Sequence, residues 1–487
     1  MSDAPLEPDR ATLEAWLAAI ARAGFDALQA LPHTRASGPL GAEAAAIASA
    51  TRLDFDEAPH AGGIEALVAR VIAASEASLN TIGPGYLAYV PGGGIPSAAL
   101  ADLLACLLNR FTGLTTAAPA LCRLEADVLQ WLAREFGLPA GAGGLLTSGG
   151  SLANLSALVT ARHGVLGDDG HLSDALVYTS SQAHGSVDKA ARIAGIPRGN
   201  LRRIATDARL RMDPQALAAT ITRDRAAGLR PFAVVSSAGT TNTGAIDPLP
   251  AIADIAAAAG LWHHVDAAYG GAFVLCDAGR RLLEGIARAD SIAFDPHKGL
   301  FLPYGTGCLL VRDAARLRAA HQLDAPYLQD FDRLDRSAEV ASPTDHGPEL
   351  SRDFRGLRLW LPLLLHGVGA FRAALSEKLA LARRLHAALA EAVGRGAPIE
   401  LLAPPELSIV AWRARRRDGE DHRAWQARSA DWLARILARG RVHLSSTVVP
   451  DADGTPAFTL RACVLSFRTH AAHVDAAVQD IVQTAGT

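Results

Sequence analysis

The chain has 487 residues, 49% of them hydrophobic, which is enough for a large core and too apolar for a disordered chain. Lys and Arg total 47 against 50 Asp and Glu, a net charge of −3, and the basic residues are scattered. That balance excludes the basic stripe of a nucleic-acid binder and the polybasic patch of a membrane-surface protein.

Met1 to Arg10 is polar, acidic and Pro-containing with no apolar signal core behind it, which predicts a soluble, cytoplasmic protein. Leu13, Trp16, Leu17, Ile20 and Leu28 fall at helical spacing, so this segment reads as an amphipathic helix. Its stripe needs a partner, either the domain that follows or a second subunit. The five cysteines, Cys106, Cys122, Cys276, Cys308 and Cys463, show no metal-ligand spacing and read as buried reduced thiols. From Ala142 to Asp313 short apolar runs alternate with Ala-rich stretches. The runs are Ala175–Tyr178, Phe232–Val235, Leu261–Val265, Ser291–Phe294 and Cys308–Val311, and one helix between them is Pro214 to Ala227. Such alternation predicts an α/β fold with a mostly parallel sheet and helices on both faces, with ligands beyond the carboxyl ends of the strands.

Asp324 to Glu349 is polar, charged and carries three prolines, so it reads as a long loop of the kind that is either functional or disordered. From Leu357 onward the pattern predicts one long helix leading into a small C-terminal α+β domain, with Leu407–Trp412 and Cys463–Ser466 as strands. Leu357 to Leu365 is too short and interrupted to span a bilayer.

Three groups in this order carry chemistry. Gly150 and Ser151 turn a strand into a helix, where small residues and backbone N–H groups suit a phosphate, with Ser148 and Asn154 as supporting polar groups. This is not a dinucleotide loop, because Gly141-Ala142-Gly143-Gly144 precedes the strand. Asp266 ends the apolar strand Leu261–Val265, and Ala268, two residues on, points to the same side of an extended chain. Lys298 lies in Phe294-Asp295-Pro296-His297-Lys298-Gly299, a polar turn between apolar segments. A Schiff-base amine, an acid for a ring nitrogen and a phosphate turn are the three handles that pyridoxal 5'-phosphate (PLP) offers a protein. Each alone has an ordinary reading as surface amine, helix cap or glycine turn; the ordered set does not.

These motifs, with His184 in Ser181-Gln182-Ala183-His184-Gly185, resemble the group II PLP-dependent amino-acid decarboxylases, relatives of the aromatic-amino-acid, histidine and glutamate decarboxylases. The resemblance runs from about Leu79 to the C-terminus and is densest between Gly144 and Gly307. It implies the fold type I PLP-transferase architecture and a homodimer with shared sites. Residues 1–85 would pack on the partner, 86–365 would form the large PLP-binding domain and 366–487 the small one. It further implies that Lys298 holds PLP as a Schiff base and that Asp266 pairs with the ring nitrogen. His184 and Ala268 would flank the ring, Thr240 would lie near the ring and the carboxylate, and His297 would reach the phosphate. Arg355, in Ser351-Arg352-Asp353-Phe354-Arg355-Gly356, would bind the carboxylate, although Asp353 interrupts the family's Ser-Arg-Arg pattern.

The implied reaction is decarboxylation of an L-amino acid to the amine and CO2 through a quinonoid. Tyr89 in Tyr86-Leu87-Ala88-Tyr89 and Phe111 match the substrate wall, while Gly92-Gly93-Gly94 widens it, which suits an aromatic or bulky side chain. The mobile-loop tyrosine of the aromatic decarboxylases is missing: Tyr327 fits the loop entrance, and Phe331 and His346 are what the rest of the loop offers. That departure is compatible with a decarboxylation-dependent aldehyde synthase, and other carbon–carbon lyases of this fold share the His-Lys pair. An aminotransferase fits less well because the His297-Lys298 pair and the His184 context suit the decarboxylases better, and intact Lys298, Asp266 and His184 argue against an inactive PLP-binding scaffold.

Overall fold

The computed structural model describes residues 6–39, 41–52, 55, 57–168, 170–322 and 340–485. Its centre is a seven-stranded sheet of β1 (Gly143–Thr147), β2 (Ala175–Ser180), β3 (Leu201–Ile204), β4 (Arg230–Ser237), β5 (Trp262–Asp266), β6 (Ser291–Phe294) and β7 (Gly307–Val311). The order is β1-β7-β6-β5-β4-β2-β3. The run from β6 to β3 is parallel, and β7 is antiparallel to both β1 and β6. Every residue of β2, β5, β6 and β7 is buried, because helices cover both faces, and this is why these strands stand out as apolar runs. β3 was not anticipated. It is an edge strand whose Arg202 and Arg203 give it the look of a loop; the two arginines pair with Asp224 and Asp188.

Local chemistry sets the helix boundaries. Pro214–Ala226 opens with proline in its first turn, and the Asp213 side chain accepts the N–H groups of Gln215 and Ala216. The single long helix expected from Leu357 is instead two, Arg355–His366 and Val368–Gly394, bent by 90°. Gly367, at φ 74°, takes the left-handed conformation that ends the first helix. The second leads to a four-stranded antiparallel sheet, order β10-β11-β9-β8, built from β8 (Ile399–Leu401), β9 (Ile409–Ala414), β10 (Ser445–Pro450) and β11 (Pro456–Cys463). Trp412, Trp425 and Trp432 fill its core. The strand expected at Cys463–Ser466 is shifted: β11 ends at Cys463 and the chain continues buried, with Val464 N–H donating to Ser408 O.

The N-terminal helix Arg10–Ala30 packs beside Gly63–Glu76, yet none of its residues is buried. Leu13, Trp16, Leu17 and Ile20 are exposed. All five cysteines are free, and Cys106 is exposed where burial was expected. Among the described residues no single helix is long and apolar enough to cross a membrane. Tyr327, Phe331 and most of the expected loop lie outside the described residues; its end carries a short 3-10 turn, Pro343–His346.

Candidate active site

A cavity of about 300 Å³ opens at the carboxyl ends of β4, β5 and β6 and at the N-terminus of helix Gly150–Leu166. Crevices outside the carboxyl ends of parallel strands are where open α/β sheets place their ligands. Gly150, Ser151, His184, Thr240, Asp266, Ala268, His297 and Lys298 all line it. Eight of the residues singled out in the sequence therefore share one space.

Lys298 sits in the one-turn helix Pro296–Gly299 that follows β6. Its Nζ is 2.9 Å from Asp295 Oδ2, an acid the sequence reading passed over. Asp295 is buried, and its Oδ1 has no hydrogen-bond partner among the described residues. His297 Nδ1 lies 2.6 Å from the Thr306 carbonyl, which only accepts, so Nδ1 carries the hydrogen. Burial lowers the pKa of His297 and favours the neutral ring. Gly299 allows this turn to sit against the 3-10 helix Gly270–Leu275, since a Cβ there would come within 2.2 Å of the Ala272 Cβ.

Asp266 is the last residue of β5 and is 8% exposed. Its Oδ1 accepts the Ala268 N–H at 3.1 Å and its Oδ2 accepts Asn154 Nδ2 at 2.9 Å. Asn154, anticipated as a phosphate neighbour, is instead the group that holds this carboxylate. His184 is the N-cap of helix Gly185–Ile193. Its Nδ1 takes the Ser186 N–H at 3.2 Å and lies 2.8 Å from Ser186 Oγ. Thr240 is buried, and its hydroxyl accepts the Ala245 N–H at 3.2 Å, which stiffens the loop after β4.

Helix Gly150–Leu166 starts at Gly149 without a side-chain cap, so its first turn offers backbone N–H groups and the positive end of the helix dipole. Backbones approach closely here. A Cβ on Gly307 would lie 2.5 Å from Gly149 Cα, and one on Gly150 would lie 3.0 Å from Asp295 Oδ2.

Tyr89, Phe111 and Arg355 do not line this cavity. Tyr89 is 59% and Phe111 40% exposed. Arg355 is 5% exposed, and its guanidinium faces Glu349 at 2.6 Å, Asp353 at 2.8 Å and the Leu146 carbonyl at 3.1 Å. With both terminal nitrogens on these partners, Arg355 fastens the start of its helix to β1 and stands outside the cavity where a carboxylate ligand was expected. Arg461 on β11 was missed. It is 2% exposed, donates to Asn242 O and Ser445 Oγ, and has no ion pair among the described residues.

The residues fit PLP on structural grounds. An uncapped helix terminus suits the phosphate, the strand-end carboxylate suits the ring nitrogen, and a lysine amine on the same cavity suits the aldehyde. This arrangement on a seven-stranded sheet with one antiparallel strand defines a fold type I PLP-dependent enzyme. The chain belongs to the pyridoxal-dependent decarboxylase family, whose conserved domain matches residues 69–415, and its cofactor is PLP. It is an amino-acid decarboxylase.

An aromatic-L-amino-acid decarboxylase of Bacillus atrophaeus is 39% identical over 330 residues, 68% of this chain and 67% of that one. A phenylacetaldehyde synthase of Petunia hybrida is 32% identical over 382 residues, 75% of this chain and 74% of that one. The crystal structure of Oryza sativa TDC with PLP and tryptamine superposes with a TM-score of 0.88 at 28% identity, covering 98% of this chain and 99% of that one.

Proposed function

We propose that the chain decarboxylates an aromatic L-amino acid, releasing CO2 and the corresponding amine, with Lys298, Asp266 and His184 as catalytic residues. The observation that carries this reading is the meeting of those three side chains on one cavity at the strand ends. When bound, PLP supplies a conjugated ring that takes up the electron pair left at the substrate α-carbon as CO2 departs.

The chain's own residues prepare that event. Lys298 Nζ, beside Asp295 on the cavity wall, would hold the aldehyde of the cofactor. Asp266 keeps a proton on the ring nitrogen by charge, and the N–H groups of Ala268 and Asn154 fix its two oxygens. The first turn of helix Gly150–Leu166, with Ser151, takes the phosphate, and His297 faces the same end of the cavity. His184 offers its second ring nitrogen, Nε2, to the substrate carboxylate. A proton then replaces CO2 on the α-carbon, which balances the reaction.

Support for an aromatic side chain comes from Tyr89 and Phe111, which leave apolar rings available outside the cavity, and from the aromatic substrates in the names of relatives. Two copies would complete the site. The helix Pro96–Leu108 exposes Leu100, Leu103, Leu104, Leu107 and Leu108, and the N-terminal helix exposes Leu13, Trp16, Leu17 and Ile20. We read these faces as the surface of a cytoplasmic homodimer, with residues 1–85 packed on the partner and Phe111 delivered to its site.

The test is mass spectrometry of the products after the PLP-loaded protein is incubated with the common amino acids in air. A single aromatic amine is expected. An aldehyde with ammonia and peroxide would transfer the chain to the oxidative branch of the Petunia relative, and an amine from an acidic substrate would overturn the aromatic assignment.

A further inference from the structure

Beneath the cavity floor runs a chain of buried hydrogen bonds that the reaction scheme above does not use. Trp262 Nε1 lies 2.8 Å from Ser291 Oγ, and Ser291 Oγ lies 2.9 Å from His264 Nδ1. His264 Nε2 is 2.9 Å from Asn154 Oδ1. Asn154 Nδ2 reaches Asp266 Oδ2 and Ser186 Oγ, both at 2.9 Å. Ser186 Oγ ends the chain 2.8 Å from His184 Nδ1. His264 and Ser291 are fully buried, and Asn154 is 1% exposed.

The proton directions in this chain are set from its Asp266 end. An indole N–H can only donate, so Ser291 accepts from Trp262 and keeps its own hydrogen available for His264 Nδ1. Complete burial holds the His264 pKa well below the ordinary histidine range, so the ring carries one proton. Both Asp266 oxygens accept, so the Asn154 amide turns its NH2 to that acid and its carbonyl to His264 Nε2. That carbonyl accepts from His264 Nε2, which leaves Nδ1 to accept from Ser291 Oγ. The second Asn154 hydrogen goes to Ser186, whose hydroxyl hydrogen goes to His184 Nδ1, where the Ser186 backbone N–H also points. With Nδ1 accepting, the His184 ring carries its proton on Nε2.

We propose that Asn154 and His264 are positioning residues for the decarboxylation. Through one directed hydrogen-bond chain they fix the Asp266 carboxylate beside the cofactor ring and present His184 with its proton on the nitrogen available to the substrate carboxylate. This rests on the roles proposed above for Asp266 and His184. The side-chain amide of Asn154 is the branch point, the one group that touches both arms.

Asn154→Asp tests the donor role, because it keeps size and shape but puts an acceptor against Asp266. Fluorescence titration of the cofactor-free protein should show PLP binding weakened roughly 10- to 100-fold, with kcat of the loaded enzyme lowered by a similar factor. Asn154→Ala, which removes the donor without adding charge, should fall between the two. If Asn154→Asp binds PLP like the wild type, Asn154 only fills space and the proposal is overturned. The wild-type holoenzyme gives a second reading that needs no variant to fold. In ring-15N histidine spectra, His184 (assigned by its loss in His184→Gln) and His264 (assigned by its loss in His264→Gln) should both show a pyridine-type Nδ1 and a protonated Nε2. A proton on Nδ1 of either ring would reverse the chain and refute the inference. The assignment of product and substrate would be untouched, since it stands on the product assay.

Discussion

At the scale of single residues, the site is defined as much by which charges are already paired as by which are present. Lys298 and Arg355 both looked like groups waiting for a ligand in the sequence. Lys298 lines the cavity beside Asp295, whereas Arg355 is buried against Glu349 and Asp353. Removing one member of a buried pair leaves uncompensated charge and costs about 3 kcal/mol when both partners are enclosed. Glu349 and Asp353 are partly exposed, which discounts that figure, so Arg355→Ala should lower stability by about 1–2 kcal/mol. Urea unfolding would measure this, and KM of the folded variant should stay within about twofold of wild type, since a twofold change is under half a kcal/mol. A KM rise of roughly a hundredfold at unchanged stability would restore Arg355 as a substrate ligand, since that is about 2.7 kcal/mol of lost binding.

At the scale of elements, β5 carries both the catalytic acid and two buried histidines. Burial lowers the His263 pKa to about 3 and also depresses that of His264. Below about pH 6.5 the unfolded chain takes up protons that these two rings refuse. Their effect is absent above that pH and grows as pH falls toward the folded values. Asp247, raised by burial to about 6, and Asp290, also raised, act in the opposite sense, but burial lowers His297, His321, His346, His386, His443 and His473 as well. Unfolding free energy measured in urea should therefore drop on going from pH 7 to pH 5, and the drop should shrink in a His263→Phe variant. An unchanged free energy across that range would mean that the two rings are protonated in the fold. The same strand shows what the sequence made legible. Trp262, Val265 and Asp266 read as a strand ending in an acid because the inner strands are apolar, and Lys298, His184 and Gly150 were found by motif. His264, Asn154 and Asp295 were not recognised for what they do, because their partners lie on other elements and no local pattern joins Asn154 to His264 across 110 positions. β3 escaped for a related reason: its two arginines hide an edge strand that only its pairing with β2 defines.

At the scale of the whole molecule, the outer apolar faces are the counterpart of the inner polar site. The helix Pro96–Leu108 turns five leucines outward, and Tyr89 and Phe111 stand near it in sequence but outside the cavity. Light scattering should give twice the mass of one chain, and a Leu104→Glu/Leu107→Glu variant should shift toward one chain and lose activity together with its partner's Phe111. A monomeric wild type with full activity would remove the shared-site reading. The sequence could only pose this question, because a helical stripe does not say which surface covers it. The central claim, that Lys298 is the attachment point of PLP in an amino-acid decarboxylase, is tested most directly by reducing the PLP-loaded protein with borohydride and mapping its peptides. The account predicts a single pyridoxyl adduct on Lys298, absent from Lys298→Ala. An adduct on another lysine, or one that persists in Lys298→Ala, would contradict it.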